Sequence, residues 1–176
     1  IIPNPNFTNP QTIGNAIADN VMIMKTNSCF DKIARTIYNQ DMVEVLSFDN
    51  KTGQITALLF TLDGIGAGNP FFSDNVYGLE FSPSGQFLYV TQSGLNGDKT
   101  VFQFDISAGA GLNPTAIVNS RSYFTAGAEV VRFGALQLGP DGKIYFPGYN
   151  TTAPCYFNAI PTPDIAWTRP VANTTT

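Results

Sequence analysis

Apolar and polar positions alternate along most of this chain with the period of two that marks β-strands. Val43-Glu44-Val45-Leu46-Ser47-Phe48 alternates, Asp49-Asn50-Lys51-Thr52-Gly53 supplies turn chemistry, and Gln54 to Phe60 resumes an apolar run. That sequence of patterns predicts a hairpin. Tyr77 to Phe81 places Tyr77, Leu79 and Phe81 on one face, and Pro83-Ser84-Gly85 then turns the chain. Phe87-Leu88-Tyr89-Val90 is apolar on both faces, as befits a strand buried between neighbours. Val101 to Asp105 follows after a Gly- and Asn-containing loop. No segment sustains helical periodicity with caps except Phe30 to Tyr38, which reads equally well as a strand. The pattern predicts an all-β chain.

A fixed-period recurrence sharpens that expectation. Phe48-Asp49 returns 56 residues later as Phe104-Asp105, and Val45 and Leu46 return as Val101 and Phe102. At the same step Gly53 matches Gly109, and Tyr77-Gly78 returns as Phe133-Gly134. Ser82-Pro83-Ser84-Gly85-Gln86-Phe87-Leu88-Tyr89 returns as Gly139-Pro140-Asp141-Gly142-Lys143-Ile144-Tyr145, one residue shorter. The same step sets Ile23 under Leu79 and Ile33 under Tyr89 as a weak first copy. Each unit offers strand, Pro-x-Gly turn, strand, polar loop, Phe-Asp strand, Gly turn and final strand. Pro presets φ at the first corner of the turn and Gly accepts a positive φ at its exit. Four antiparallel strands in such a unit make the blade of a β-propeller, and a blade buries its faces only against neighbours. The pairs Phe102/Phe104 and Phe87/Tyr89 are expected to fill the wedges between blades.

The units fall at 20–75 (degenerate), 76–131 and 132–176 (truncated, with a tail), after a linker or N-terminal extension at 1–19. Propellers close with typically about 4 to 8 blades, so three blades are expected to be part of a larger ring. Their open ends would pack against further blades or other subunits. The chain opens on Ile1 with neither a basic nor an apolar leader, which reads as a processed product or an excised piece.

Composition narrows the function. Charged residues make up 12% of the 176, against roughly 25% in ordinary soluble domains. Asn, Thr and Ser replace them, a neutral polar surface more familiar outside cells. A net charge of −4 argues against nucleic acid as a partner, and no apolar run reaches a membrane span. The absence of histidine removes the commonest general base and most zinc sites. Cys29 and Cys155 form no CxxC pair, and two buried free thiols are expected rather than a disulfide. Asn-x-Thr sequons stand at Asn6, Asn50, Asn150 and Asn173.

Tyr77-Gly78-Leu79-Glu80-Phe81-Ser82-Pro83 and Gly134-Ala135-Leu136-Gln137-Leu138-Gly139-Pro140-Asp141-Gly142-Lys143-Ile144-Tyr145 carry a family likeness. With Phe48-Asp49-Asn50-Lys51-Thr52-Gly53 and Val101 to Asp105, in that order over about 43–146, the chain resembles a known propeller class. That class is the propeller region, of YVTN/WD-like repeats, in Bacteroidota secreted surface proteins, which often carry a gliding-motility-associated C-terminal sorting domain. The resemblance implies export by the type IX system and display at the cell surface, and it implies no catalytic residue. Phe146-Pro147-Gly148 departs from the small apolar strand of that family, which predicts a break there.

Candidate chemistry is sparse. Glu80 and Glu129 are the carboxylates to consider for paired acid–base work, with solvated or locally hydrogen-bonded acids as the expectation. Asp49 to Gly53 has alternate oxygen ligands but lacks the closing Glu of a calcium loop, so Asp49, like Asp141, is expected to cap a turn. Ser82, Ser84, Ser93 and Cys29 have no histidine to activate them, and Lys143 belongs to a turn phrase. Gly64-Ile65-Gly66-Ala67-Gly68 lacks the ending of a phosphate loop. Trp167, Tyr149 and Tyr123, with Tyr156, are the candidate ligand-contact aromatics, to be weighed against packing at blade junctions. No catalytic residue, metal or cofactor is expected. The sequence points to a non-catalytic binding or adhesion module with a glycan or protein partner at its loops. The alternatives are a structural subunit within a larger surface or secretion-linked assembly, and a glycan-active enzyme with acidic residues partly outside this segment.

Overall fold

The computed structural model describes residues 13–14, 21–63, 75–93, 99–108, 111–125, 132–149 and 156–168. Strands β1 (Met24–Thr26), β2 (Lys32–Ile37), β3 (Met42–Asp49) and β4 (Gln54–Asp63) pair in chain order into one antiparallel sheet. β5 (Val76–Phe81), β6 (Phe87–Ser93), β7 (Lys99–Asp105) and β8 (Ser122–Thr125) make a second of the same order. In the third sheet β9 (Arg132–Phe133) and β10 (Gln137–Leu138) both pair with β11 (Ile144–Tyr149), which pairs with β12 (Tyr156–Ile160). Three successive antiparallel sheets of this kind are β-propeller blades, the third with its first strand divided into β9 and β10 and three strand places among the described residues.

Register aligns the first strands of the three blades. Lys25, Glu80 and Gln137 occupy equivalent places, opposite Ala34, Tyr89 and Tyr145. From Val76 to Glu80 the first strand takes four steps against three on β6, and from Phe133 to Gln137 it takes four against three on β11, so both blades carry the same irregularity and Gly134 answers to Tyr77. The step between these first strands is 57 residues, and the following turn is one residue shorter in the third blade: Ser82 N–H bonds to Phe87 O, whereas Gly139 N–H bonds to Lys143 O. The turns otherwise match, with Gly85 and Gly142 at φ +73° and +77°.

Two cores lie between the blades. Val43, Val45, Phe60 and Leu62 of the first blade pack against Leu79, Phe81, Leu88, Val90, Phe102 and Phe104 of the second. Phe87, Tyr89 and Val101 pack the other way, onto Phe133, Ile144, Phe146 and Ile160 of the third. β6 therefore feeds both cores with alternate residues, which is why Phe87 to Val90 is apolar on both faces. Each fully buried side chain of this size contributes roughly 2–3 kcal/mol.

Polar clasps repeat too. Thr36 Oγ1 accepts from Ile23 N at 3.0 Å and donates to Tyr77 O of the next blade at 3.0 Å. Thr91 Oγ1 accepts from Gly78 N at 2.8 Å and donates to Gly134 O at 3.1 Å. A Cβ on Gly78 would lie 2.8 Å from Gly134 O, so the seam requires glycine. In the third blade the threonine's place is taken by Pro147, which has no hydroxyl to donate.

Four expectations are corrected. A short helix, α1 (Pro114–Asn119), stands between β7 and β8: Asn113 accepts from Thr115 N and Ala116 N, Pro114 opens the first turn, and Ile117 is buried in the first core. β11 runs through Phe146-Pro147-Gly148 without a break, because Pro147 uses only its carbonyl, which accepts from Gly134 N. Cys29 is exposed, not buried, since it sits in the β1–β2 turn; Cys155 lies outside the described residues. The Phe-Asp recurrence marks like turns rather than like register. Phe48 N–H bonds to Asp31 O, and its counterpart bonding to Gln86 O is Ile106, two residues past Phe104.

Candidate functional site

The first strands of the three blades converge, and each end of that seam is concave. At the end where β5 begins, Val21, Tyr38, Tyr77, Arg132, Phe133, Pro147 and Tyr149 line a mouth of about 460 Å³. Tyr38 and Tyr77 meet edge to face with centroids 6.3 Å apart. Arg132 and Tyr149 face each other across the β9–β11 ladder, both exposed, Tyr149 by 49%. The mouth thus holds three tyrosine rings and a guanidinium.

At the opposite end, Lys25, Asn27, Phe30, Glu80 and Gln137 line a smaller hollow of about 290 Å³. Glu80 is buried and hydrogen-bonded, the second of the two states expected for it. Its Oε2 is 3.0 Å from Lys25 Nζ and accepts from Leu138 N at 2.9 Å, and Lys25 Nζ also donates to Gln137 Oε1 at 2.7 Å. Equivalent side chains of three blades therefore bond to one another, and this carboxylate stitches the seam. Phe30 takes the place held by Gly85 and Gly142 and carries φ +54°, a strained position for a side chain with a Cβ.

A third hollow of about 360 Å³ lies laterally between blades two and three, lined by Val101, Tyr123, Phe124, Phe146, Asn158, Ala159, Ile160, Pro161 and Trp167. The structure therefore brings Trp167 and Tyr123 into one cleft and places Tyr149 in the axial mouth. Trp167 also packs edge-on against Tyr89 at 5.3 Å. It ends a strap, residues 161–168, laid across blade two. Tyr89 hydroxyl donates to Pro163 O at 2.8 Å, Gln103 Oε1 accepts from Trp167 N at 2.7 Å, and Ser122 donates to Trp167 O at 3.0 Å. Asp164 accepts from Ser84 N and Oγ at 3.0 and 2.5 Å. Burial pushes the Tyr89 hydroxyl up to about 12.

The remaining candidates are structural where they are described. Asp49 accepts from Lys51 N at 2.9 Å, which holds its carboxyl below the usual range, and it caps the turn as expected. Asp141 accepts from Tyr145 hydroxyl at 2.7 Å and Lys143 Nζ at 2.9 Å, and these bonds hold it down to about 2. Ser82 and Ser84 bond to each other within their turn. Glu129 and the Gly64–Gly68 run lie outside the described residues, and so do the side chains of Ser93 and Tyr156. Among the described residues no three Cys, Asp or Glu side chains cluster as metal ligands, and no helix is long and apolar enough to cross a membrane. A second buried ion pair, Arg35 with Glu44 at 2.5 Å, lies under Gly14 in the first blade.

Sequence reasoning missed Tyr38, Tyr77, Arg132, Phe30 and Asn158. Asn158 was reachable from the repeat, because it lies 56 residues past Phe102, whereas Phe30 stands 55 residues before Gly85 and answers to it only in the turn's hydrogen bonding. The tyrosines and Arg132 meet only through blade packing.

No protein-family model matches the chain, and no curated protein is significantly similar to it. Among solved structures, a protein from Lactobacillus plantarum is similar with a TM-score of 0.48 and 17% identity, over 77% of this chain and 36% of that one. The β-propeller domain of Myceliophteria thermophila Cps50 (Swd1) is similar with a TM-score of 0.41 and 17% identity, over 87% of this chain and 43% of that one. The chain spans less than half the length of either. Likeness at this level carries no argument about function, and the propeller class rests on the three sheets themselves.

Proposed function

We propose that these blades belong to a non-catalytic binding module displayed outside the cell, and that the axial mouth of about 460 Å³ receives a carbohydrate. The observation that carries this reading is the gathering of Tyr38, Tyr77 and Tyr149 with Arg132 around one concavity. Tyrosine rings offer flat apolar faces for the C–H side of a sugar and hydroxyls for its edge. Guanidinium offers a fork of donors for hydroxyl or carboxylate oxygens. The neutral Asn-, Thr- and Ser-rich composition and the resemblance to exported surface propellers support the extracellular setting.

Glycan-array binding followed by titration calorimetry tests this. Expected is binding of at least one glycan class, weakened about tenfold by Tyr149→Ala and unchanged by Tyr123→Ala in the lateral cleft. No glycan binding, or equal affinity in the Tyr149→Ala protein, overturns the reading. A second reading, a structural part packed within a larger surface assembly, is favoured by the exposure of Phe157 (81%) and Phe124 (53%). Sedimentation of a Phe157→Asp variant tests that one: loss of self- or partner association supports it.

A further inference from the structure

We propose, on the reading of the axial mouth as a carbohydrate site, that this mouth selects a sugar carrying a carboxylate, with the Arg132 guanidinium as the group that holds it. Positive charge elsewhere in the blades is compensated within the chain: Lys25, Lys32, Arg35 and Lys143 each pair with a carboxylate. Arg132 does not. It is exposed, and among the described residues nothing bonds to its guanidinium. No Asp or Glu stands among the described residues that line the mouth. The hollow at the opposite end of the seam also holds a cation, Lys25, but its ammonium already meets Glu80 at 3.0 Å and Gln137 at 2.7 Å. In a chain of net charge −4, the mouth is thus a local positive site rather than part of a basic surface.

The neighbours of that charge narrow the anion. Arg132 and Tyr149 are directly opposite in the β9–β11 ladder, so their side chains rise from one face of the sheet. A sugar ring laid on the phenol carries its acid group at the rim, where a long neighbouring side chain can meet it. The planar guanidinium matches a planar carboxylate through two parallel hydrogen bonds. One guanidinium also balances one negative charge, whereas a phosphate monoester, with about −1.5 to −2 at neutral pH, would be left half-paired. A neutral sugar would leave the cation with no partner at all.

The probes are oligosaccharides containing glucuronate, galacturonate or sialate, each beside its carboxyl-reduced counterpart and a sulfated analogue, titrated by calorimetry. Expected is at least one acidic member bound about tenfold more tightly than its reduced counterpart, with a preference that shrinks as salt rises. Arg132→Gln should bring the two forms to equal affinity at an unchanged melting temperature. Tyr149→Ala should weaken both forms and leave their ratio intact. Equal affinity of the acidic and reduced forms for the unaltered protein, or a preference indifferent to salt, overturns the inference while the carbohydrate reading stands. Binding of neither form overturns both. A preference that survives in Arg132→Gln overturns the role of Arg132, and a sulfated analogue bound as tightly as the acidic form overturns the choice of carboxylate.

Discussion

The two inter-blade interfaces of this chain share an inner half and differ in their outer half. Near the seam, both use a strand-two threonine that accepts from its own blade and donates to the next, through Thr36 and Thr91. Both also share the bonds of Lys25, Glu80 and Gln137. Farther out, the first interface is a dry core filled by Phe102 and Phe104, with Ile117 of α1 added to it. The second has Asn158 where Phe102 stands, an aromatic cleft, and a strap from Pro161 to Thr168 laid over Tyr89 and Gln103. The inner positions meet the same geometric demand in every blade, so their chemistry repeats. The outer wedge is filled by aromatic side chains at the first interface and covered by a strap at the second, so the chain is free to diverge there.

The contrast can be broken most forcefully at the equivalent pair Phe102 and Asn158. Phe102→Ala should cost about 4 kcal/mol through lost burial and the cavity it leaves, whereas Asn158→Ala should cost less than about 1 kcal/mol because it deletes an unsatisfied amide. Urea unfolding of both variants measures the difference, and equal losses would mean the two interfaces are packed alike.

Next in size is the shared inner seam. Glu80→Ala should cost about 3 kcal/mol, since it strands Lys25 and the Leu138 N–H in a largely buried place. Glu80→Gln, which can still accept from Leu138 N, should recover part of the loss. A negligible effect on the melting temperature would show that the seam does not depend on this bond.

The smallest effect at neutral pH belongs to the second interface alone. Burial raises the Tyr89 hydroxyl from 10.0 to about 12, so the folded state favours the protonated phenol. That contribution to stability is fully present below pH 10 and is lost as pH rises through about 12. Trp167 emission should therefore change over that alkaline window as the strap loosens, and Tyr89→Phe should abolish the transition. A transition that persists in Tyr89→Phe would place its origin elsewhere.

Much of the fold was legible in the residues because strand period and turn chemistry are local. β3, β5 and β7 follow from alternation, β6 from a short run apolar on both faces, and the Gly85 and Gly142 turns from Pro-x-Gly phrases. α1 escaped because six residues are too few for a hydrophobic period to show, although Asn113-Pro114 signals its start. Pro147 suggested a broken strand because its missing N–H is visible in sequence, while the bond its carbonyl accepts from Gly134 is not. Of the three aromatic candidates, nothing local could say that Trp167 and Tyr123 share one cleft and that Tyr149 belongs to another.

By itself, the sequence determined the all-β character, the step of 56 residues and the blade as the repeating unit, since hydrophobic periodicity and turn residues act over a few positions. Only the tertiary structure decided that Glu80 bonds to groups of both neighbouring blades, that Tyr38, Tyr77, Tyr149 and Arg132 form one mouth, and that Asn158 stands where Phe102 stands one blade earlier. Those are relations between blades, set by how neighbouring wedges fill, and residues from distant parts of the chain become neighbours only once the blades have packed.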